Sequence, residues 1–315
     1  MGSGRLPLGA GGVKVVAAHV ARLPTLIILI VGVFGGWRSV RAQPFSGMYV
    51  FGDSLSDIGQ VYRATNTQVP PSPPYLAGRF CDGPLWVEDL ALGLGLSLDL
   101  RHDFAFSGAT SGTTNTLAQQ FPGLLGLQQQ VDRYVATDGR ADPGALYVML
   151  AGANDYLSFT ETNPAVPVAN VIQATNKLIA AGAKNFLVAN LPDLGLIPRI
   201  VGTPVASVFH GLILEHNARL QVALDQLQQR TGVNISLLDV YTLLNDMAGN
   251  PAQYRFTQVT EPCLTLLLIP CRNPEQYLFY DEIHPTTAAH RYAAQRALRK
   301  VLKVSKRPPG LIQER

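Results

Sequence analysis

A serine at the end of a short apolar run, and a histidine three residues after an aspartate, could together carry out acyl transfer. Such chemistry needs an activated hydroxyl, a base to take its proton, a carboxylate to orient that base, and donors for the oxyanion. Ser54 supplies a hydroxyl in the segment Phe51-Gly52-Asp53-Ser54-Leu55-Ser56-Asp57. Gly52 permits a tight turn, and a following helix would offer free N–H groups. On those residues alone, an ordinary helix-capping turn accounts for the tripeptide equally well. The base must be one of six histidines. His19 lies in the N-terminal segment, His210, His216 and His290 fall within helical stretches, and His102 sits in a loop with no evident partner. His284 differs, because Asp281 precedes it by three residues in Tyr280-Asp281-Glu282-Ile283-His284-Pro285. A turn of that length can set the carboxylate against the imidazole, fix its tautomer and stabilise its protonated form.

The elements that would position these groups alternate. Met48–Phe51, Leu146–Leu150, Asn185–Ala189 and Ile235–Val240 are short apolar runs that read as buried strands, with a fifth around Phe104-Ala105-Phe106. Between them lie helical stretches at Trp86–Leu94, Val168–Ala181, Val208–Thr231 and Thr286–Val304. Strands separated by helices imply an α/β fold with a parallel sheet covered on both faces. In such sheets ligands bind beyond the carboxyl ends of the strands. Polar clusters follow three of these runs: Gly52-Asp53-Ser54, Gly152-Ala153-Asn154-Asp155 and Asn190-Leu191-Pro192-Asp193.

The first 42 residues carry Arg5, Lys14, Arg22, Arg38 and Arg41, no acidic residue, and an apolar run from Leu23 to Trp37. They read as an export leader, ending near Val40-Arg41-Ala42, which places the remainder in a secreted or periplasmic setting. The run falls short of the ~20 residues a spanning helix needs, so no stable span is expected in the mature chain; a retained leader would make a membrane anchor. Removing those five cations takes the formal charge from +3 to −2. The basicity therefore belongs to the leader and does not indicate nucleic acid. A cluster at Arg299, Lys300, Lys303, Lys306 and Arg307 reads as a solvated helix face. Residues 43–305 form one domain, with 306–315 a short tail; the Val69-Pro70-Pro71-Ser72-Pro73-Pro74 stretch reads as a rigid surface loop. Cys263 and Cys271 suit a disulfide in an oxidising compartment, leaving Cys81 as a packed thiol. No zinc-ligand spacing occurs, and neither a metal nor a cofactor is expected.

Gly52-Asp53-Ser54-Leu55 also resembles the name-giving motif of the GDSL esterase/lipase family, part of the SGNH hydrolases. Three more segments resemble that family's blocks, in its order: Phe104–Thr110, Gly152–Asp155 and Asp281-x-x-His284-Pro285. The resemblance covers about residues 47–300. It implies a three-layer α/β/α sandwich with a flavodoxin-like sheet, and a serine ester hydrolase acting on a small-molecule or lipid ester. It implies Ser54 as nucleophile and Asp281 and His284 as acid and base. The N–H of Ser54, the N–H of Gly108 and the side chain of Asn154 would form the oxyanion hole. Ser107-Gly108 stands where many members carry Gly-Gly, which leaves Ser107 as an alternative donor, and Cys81 stands where serine is common. Asp53 and Asp155 read as turn-shaping carboxylates, and Asn190 and Asp193 as support. Phe80, Trp86, Tyr156 and Leu157 are candidates for an acyl pocket and equally for core. An acyltransferase with the same triad, a carbohydrate acetyl esterase and a non-catalytic surface binding protein are the alternative readings.

Overall fold

The computed structural model describes residues 44–158 and 160–305. The chain divides after Arg41, and all described residues fall in the second unit. The leader and the tail beyond 305 lie outside the described residues. In chain order the elements are β1 (Met48–Gly52), α1 (Gln60–Ala64), α2 (Trp86–Leu94), α3 (Leu127–Asp138), β2 (Leu146–Leu150), α4 (Ala153–Leu157) and α5 (Ala165–Ala181). There follow β3 (Asn185–Ala189), α6 (Ala206–Thr231), β4 (Asn234–Leu238), α7 (Val240–Gly249), β5 (Gln258–Pro262), β6 (Tyr277–Phe279) and α8 (Thr287–Ser305).

Strands β1 to β4 form one parallel sheet in that order. The segment around Phe104 runs along the free edge of β1, with Phe104 N–H donating to Val50 O at 2.7 Å and Phe106 N–H to Gly52 O at 3.0 Å. Only a single bridge, Val50 to Asp103, is regular. The expected fifth strand is thus an irregular extended segment. Counted as the second strand, it gives the order 2-1-3-4-5 of flavodoxin-like sheets.

Period-2 alternation sorts the strand side chains onto two cores. Met48, Val50, Leu146, Val148, Leu150 and Leu187 face one side, where they meet Trp86 and Leu90 of α2 and Ala297 and Val301 of α8. Phe51, Tyr147, Met149, Phe186 and Val188 face the other, against Val131 of α3, Val171 of α5 and Leu220 of α6. With both faces covered, the strands must be apolar throughout, which is why they read as unbroken runs. The run at 235–240 ends earlier than expected, at Leu238. Asp239 accepts from Thr242 N–H at 3.0 Å and caps α7, so Val240 begins a helix.

A second, two-stranded sheet joins β5 to β6. It anchors the loop that follows β6: Tyr280 N–H donates to His284 O at 2.7 Å and Thr286 N–H to Leu278 O at 3.0 Å. Cys263 and Cys271 are joined in a disulfide beside it, and Cys81 is free and buried. No helix among the described residues is long and apolar enough to cross a membrane.

Gly52, the last residue of β1, has φ +150°, and a Cβ there would stand 2.1 Å from Leu150 O. Both the conformation and the contact exclude a side chain. Gly52→Ala should therefore cost about 3 kcal/mol or more, read as a lowered urea midpoint; a midpoint equal to wild type would contradict the close approach.

Candidate active site

The first three polar clusters and the loop after β6 meet at the carboxyl edge of the sheet. His284 Nε2 lies 2.8 Å from Ser54 Oγ, although 230 residues separate them. His284 Nδ1 is 2.8 and 2.9 Å from the two carboxylate oxygens of Asp281. Asp281 Oδ1 also accepts the backbone N–H groups of Ile283 (2.8 Å) and His284 (2.7 Å). Burial alone would raise the Asp281 pKa. The adjacent His284 and these hydrogen bonds outweigh it and hold the carboxyl below its ordinary value.

Two residues carried by the Pro-rich loop and its sequel complete this arrangement, and sequence reasoning missed both roles. Tyr75 Oη donates to Asp281 Oδ2 at 2.7 Å, across 206 positions. Burial and the nearby carboxylate push the Tyr75 pKa far up, so it stays a neutral donor. The Phe80 ring lies against the His284 imidazole, centroids 4.9 Å apart. No local spacing could signal either contact.

The donor side is built by buried carboxylates. Asp57 Oδ2 accepts both the N–H and the Oγ–H of Ser107 at 2.8 Å, while its Oδ1 accepts Gly59 N–H at 2.8 Å. Ser107 N–H is therefore engaged, whereas neither Gly108 N–H nor Ser54 N–H donates to another protein group among the described residues. Gly108 has φ +79°. Asn154 Nδ2 donates to Ala109 O at 3.0 Å, which ties the two segments together and leaves its second N–H. Asp155 accepts Ser111 N–H (2.8 Å) and Oγ–H (2.6 Å). Ser54, Asn154 and His284 line one pocket, whose other walls include Leu157, Leu194, Leu244 and Phe279.

The remaining candidates divide. Asn190 holds the start of α7, accepting Val240 N–H at 2.7 Å, and Asp193 pairs with His210 at 2.7 Å. His216 is buried against Tyr156 Oη, with its pKa pushed down to about 4 by burial. His102, expected to lack a partner, pairs with Asp99 at 2.8 Å. That contact arises within one tight turn, where His102 N–H also donates to Asp99 O. Trp86 is core, and its indole N–H donates to Ser56 Oγ at 3.3 Å. Burial drives the Cys81 pKa well up, which keeps its thiol protonated. No group of three or more His, Cys, Asp or Glu side chains that could hold a metal ion occurs among the described residues.

The model of the GDSL-like Lipase/Acylhydrolase family matches residues 48–297. The chain belongs to that family. Among curated GDSL relatives and other similar proteins, it is 28% identical over 281 residues to thermolabile hemolysin of Vibrio parahaemolyticus, covering 82% of this chain and 65% of that protein. It is 30% identical over 225 residues to phosphatidylcholine-sterol acyltransferase of Aeromonas hydrophila, covering 70% and 65%. The chain thus spans just under two thirds of the length of these two relatives. Among solved structures, a carbohydrate acetylesterase from Sinorhizobium meliloti aligns with 16% identity and a TM-score of 0.48, covering 82% of this chain and 99% of that one.

One site group departs from the pattern of satisfied carboxylates. Asp53 is buried, its Oδ1 accepts Leu55 N–H at 3.1 Å, and its Oδ2 has no partner. Burial raises its pKa to about 7. A carboxyl that binds its proton more tightly folded than unfolded stabilises the fold at acid pH. That contribution is lost as pH rises from about 4 to about 7, by at most ~4 kcal/mol. Asp53→Asn removes the titration, so the stability of the variant relative to wild type should rise between pH 4.5 and pH 8 in urea unfolding. A pH-independent difference would rule out the shifted carboxyl.

Proposed function

We propose that the chain hydrolyses carboxylic esters through an acyl-serine intermediate on Ser54. The observation that carries this reading is the continuous hydrogen-bonded line from Ser54 Oγ through His284 to Asp281. In the reaction Ser54 Oγ attacks the ester carbonyl while His284 Nε2 takes its proton. His284 then returns the proton to the departing alcohol. Asp281, kept ionised by its own donors, stabilises the imidazolium and fixes Nδ1–H toward itself. The negative charge on the former carbonyl oxygen would be met by the N–H groups of Ser54 and Gly108 and by Asn154 Nδ2. Gly108 is favoured over Ser107 because Asp57 already occupies the Ser107 N–H. Water, activated by His284, then releases the acid and restores the serine.

The substrate is a small-molecule or lipid ester, in keeping with the apolar pocket walls. Acyl transfer to an alcohol is the second reading, favoured by the Aeromonas hydrophila relative named as an acyltransferase. Product partition between acid and new ester, measured with added alcohol, separates the two. Export fits the Cys263–Cys271 disulfide, which belongs to oxidising compartments.

A fluorophosphonate should label the protein at Ser54 and fail to label Ser54→Ala, which should also lose hydrolysis of p-nitrophenyl esters. Labelling or full turnover in that variant would refute the nucleophile, and an unreactive wild type would favour a binding protein. Asn154→Ala should lower kcat by ~10²–10³ with little change in KM, the loss typical of one oxyanion donor. Wild-type kcat in steady-state assays would remove Asn154 from that role.

A further inference from the structure

Leu266, Leu267, Leu268 and Ile269 follow one another in the chain and expose 88%, 81%, 45% and 58% of their surface. Single exposed leucines are ordinary, but four together at a loop tip mark an interaction surface. The loop is closed at its base by the Cys263–Cys271 disulfide, and Cys271 N–H donates to Cys263 O at 2.9 Å. That base is bound to the strand that leads into the Asp281–His284 turn. Cys263 N–H donates to Phe279 O at 3.1 Å and Leu264 N–H to Tyr280 O at 2.6 Å, and Asp281 follows. Cys263 and Leu264 pack with Tyr75 and Tyr280, and Phe80 joins the same cluster. Tyr75 and Phe80 are the residues that touch Asp281 and His284. Three residues lead from Leu264 to Leu267, so the tip lies within about 11 Å of this base.

We propose that the tip docks on the surface of a phospholipid layer, with its aliphatic side chains entering the layer below the headgroups. From Pro262 to Cys271 the chain carries no charge, and the flanking Glu261 and Arg272 stand at the base of the loop. A protein partner, or a second copy of the chain, fits less well. Four side chains fall short of the ~800 Å² per partner that a stable protein interface buries. The tip also has no Trp, Tyr or Arg, the residues that anchor such interfaces. The backbone suits lipid, where unpaired polar groups are costly. Thr265 N–H donates to Ile269 O at 3.0 Å, Leu268 N–H to Thr265 O at 2.9 Å and Ile269 N–H to Thr265 Oγ1 at 3.2 Å, while Pro270 has no N–H. The N–H groups of Leu266 and Leu267 have no protein partner among the described residues, which limits the tip to an interfacial depth. Leu268 has φ +59°, a conformation that favours glycine, so the turn bears a strained leucine where a small residue would sit at ease. A docked tip would hold the Asp281–His284 turn close to the lipid surface. The inference goes beyond the ester-hydrolase reading and does not depend on it.

The test is read at the loop itself, in the full chain carrying Ser54→Ala so that the vesicles stay intact. Leu267→Trp adds a tryptophan at the tip, and the emission of Trp37 and Trp86 is subtracted with the parent chain. Four aliphatic side chains make a weak, reversible anchor, so phosphatidylcholine vesicles are used at about 1 mM lipid. The added emission should shift to the blue and lose at least half its intensity when the lipid is brominated along its acyl chains. Leu266→Asp placed beside it should reduce that quenching threefold or more per vesicle-bound protein, because a carboxylate resists entry into an apolar layer. Normalising to bound protein, measured by co-sedimentation, removes any attachment made through the leader or the basic residues of α8. Both positions are exposed, so each variant should keep the urea midpoint of the parent, which separates lost docking from lost folding. Emission unmoved by brominated lipid would overturn the proposal, as would equal quenching with and without Leu266→Asp. A dimer in solution that Leu266→Asp dissociates would also overturn it and assign the tip to a second copy. No step of the test reads ester turnover, so failure of the hydrolase reading would leave its outcome unchanged.

Discussion

The backbone of β1 passes β2 so closely at Gly52 that the Leu150 carbonyl occupies the place of a side chain. Gly52 is also held on its own polar groups: its N–H donates to Gln130 Oε1 at 2.9 Å and its carbonyl accepts Gln130 Nε2–H at 2.8 Å. A strand end in a parallel sheet normally leaves such groups to water. Here a buried amide of α3 satisfies both, so the chain leaves the sheet at one defined point. Ser54 follows two residues later and inherits that definition. What the sheet supplies is a fixed departure point for each polar cluster along its carboxyl edge.

Fine positioning beyond the sheet is done by carboxylates rather than apolar contacts. Asp57, Asp103 and Asp155 are buried and have raised pKa values, for which burial is the main cause. A buried carboxylate is costly unless several donors meet it. Each meets that condition by binding across loops: Asp57 joins Gly59 to Ser107, Asp103 joins Ile58 to Ala105, and Asp155 joins the Asn154 turn to Ser111. The three loops must adopt one mutual arrangement for all these bonds to form. The segments around Gly108 and Asn154 are thereby set relative to Ser54 by these bonds. Preorganised donors of this kind are what stabilisation of a developing oxyanion requires.

Much of this was legible in the sequence, and the reasons for success and failure are physical. The runs at 146–150 and 185–189 match the strands residue for residue, because central parallel strands are apolar on both faces. The run at 235–240 reads too long because apolar content cannot distinguish a buried strand from the first turn of α7; the Asp239 cap marks the boundary. Phe104 to Phe106 lies at the sheet edge, where one side has no partner strand and regular pairing lapses. Ser54, Asp281 and His284 stand out because their signal is local: a turn after a strand, and a three-residue offset. Tyr75, Phe80 and Gln130 carry no local signal. Each acts on a residue 78 to 206 positions away or through a ring contact, and only the tertiary structure reveals it.

The two halves of the site differ in how they are made. Asp281 and His284 form a local unit: the carboxylate holds the backbone and ring of the same turn, and β6 clamps that turn from both sides. Ser54 belongs to the opposite end of the chain. The two meet only if α8, which starts just after His284, packs correctly on α2. Trp86 joins these parts directly. Its backbone N–H donates to His290 of α8, its indole N–H donates to Ser56 two residues after Ser54, and its ring is buried in the core under β1. One buried residue thus ties the Ser54 turn to the helix that begins just after His284. The 2.8 Å contact between Ser54 and His284 is therefore a property of the completed α2–α8 layer, since neither local segment can form it alone.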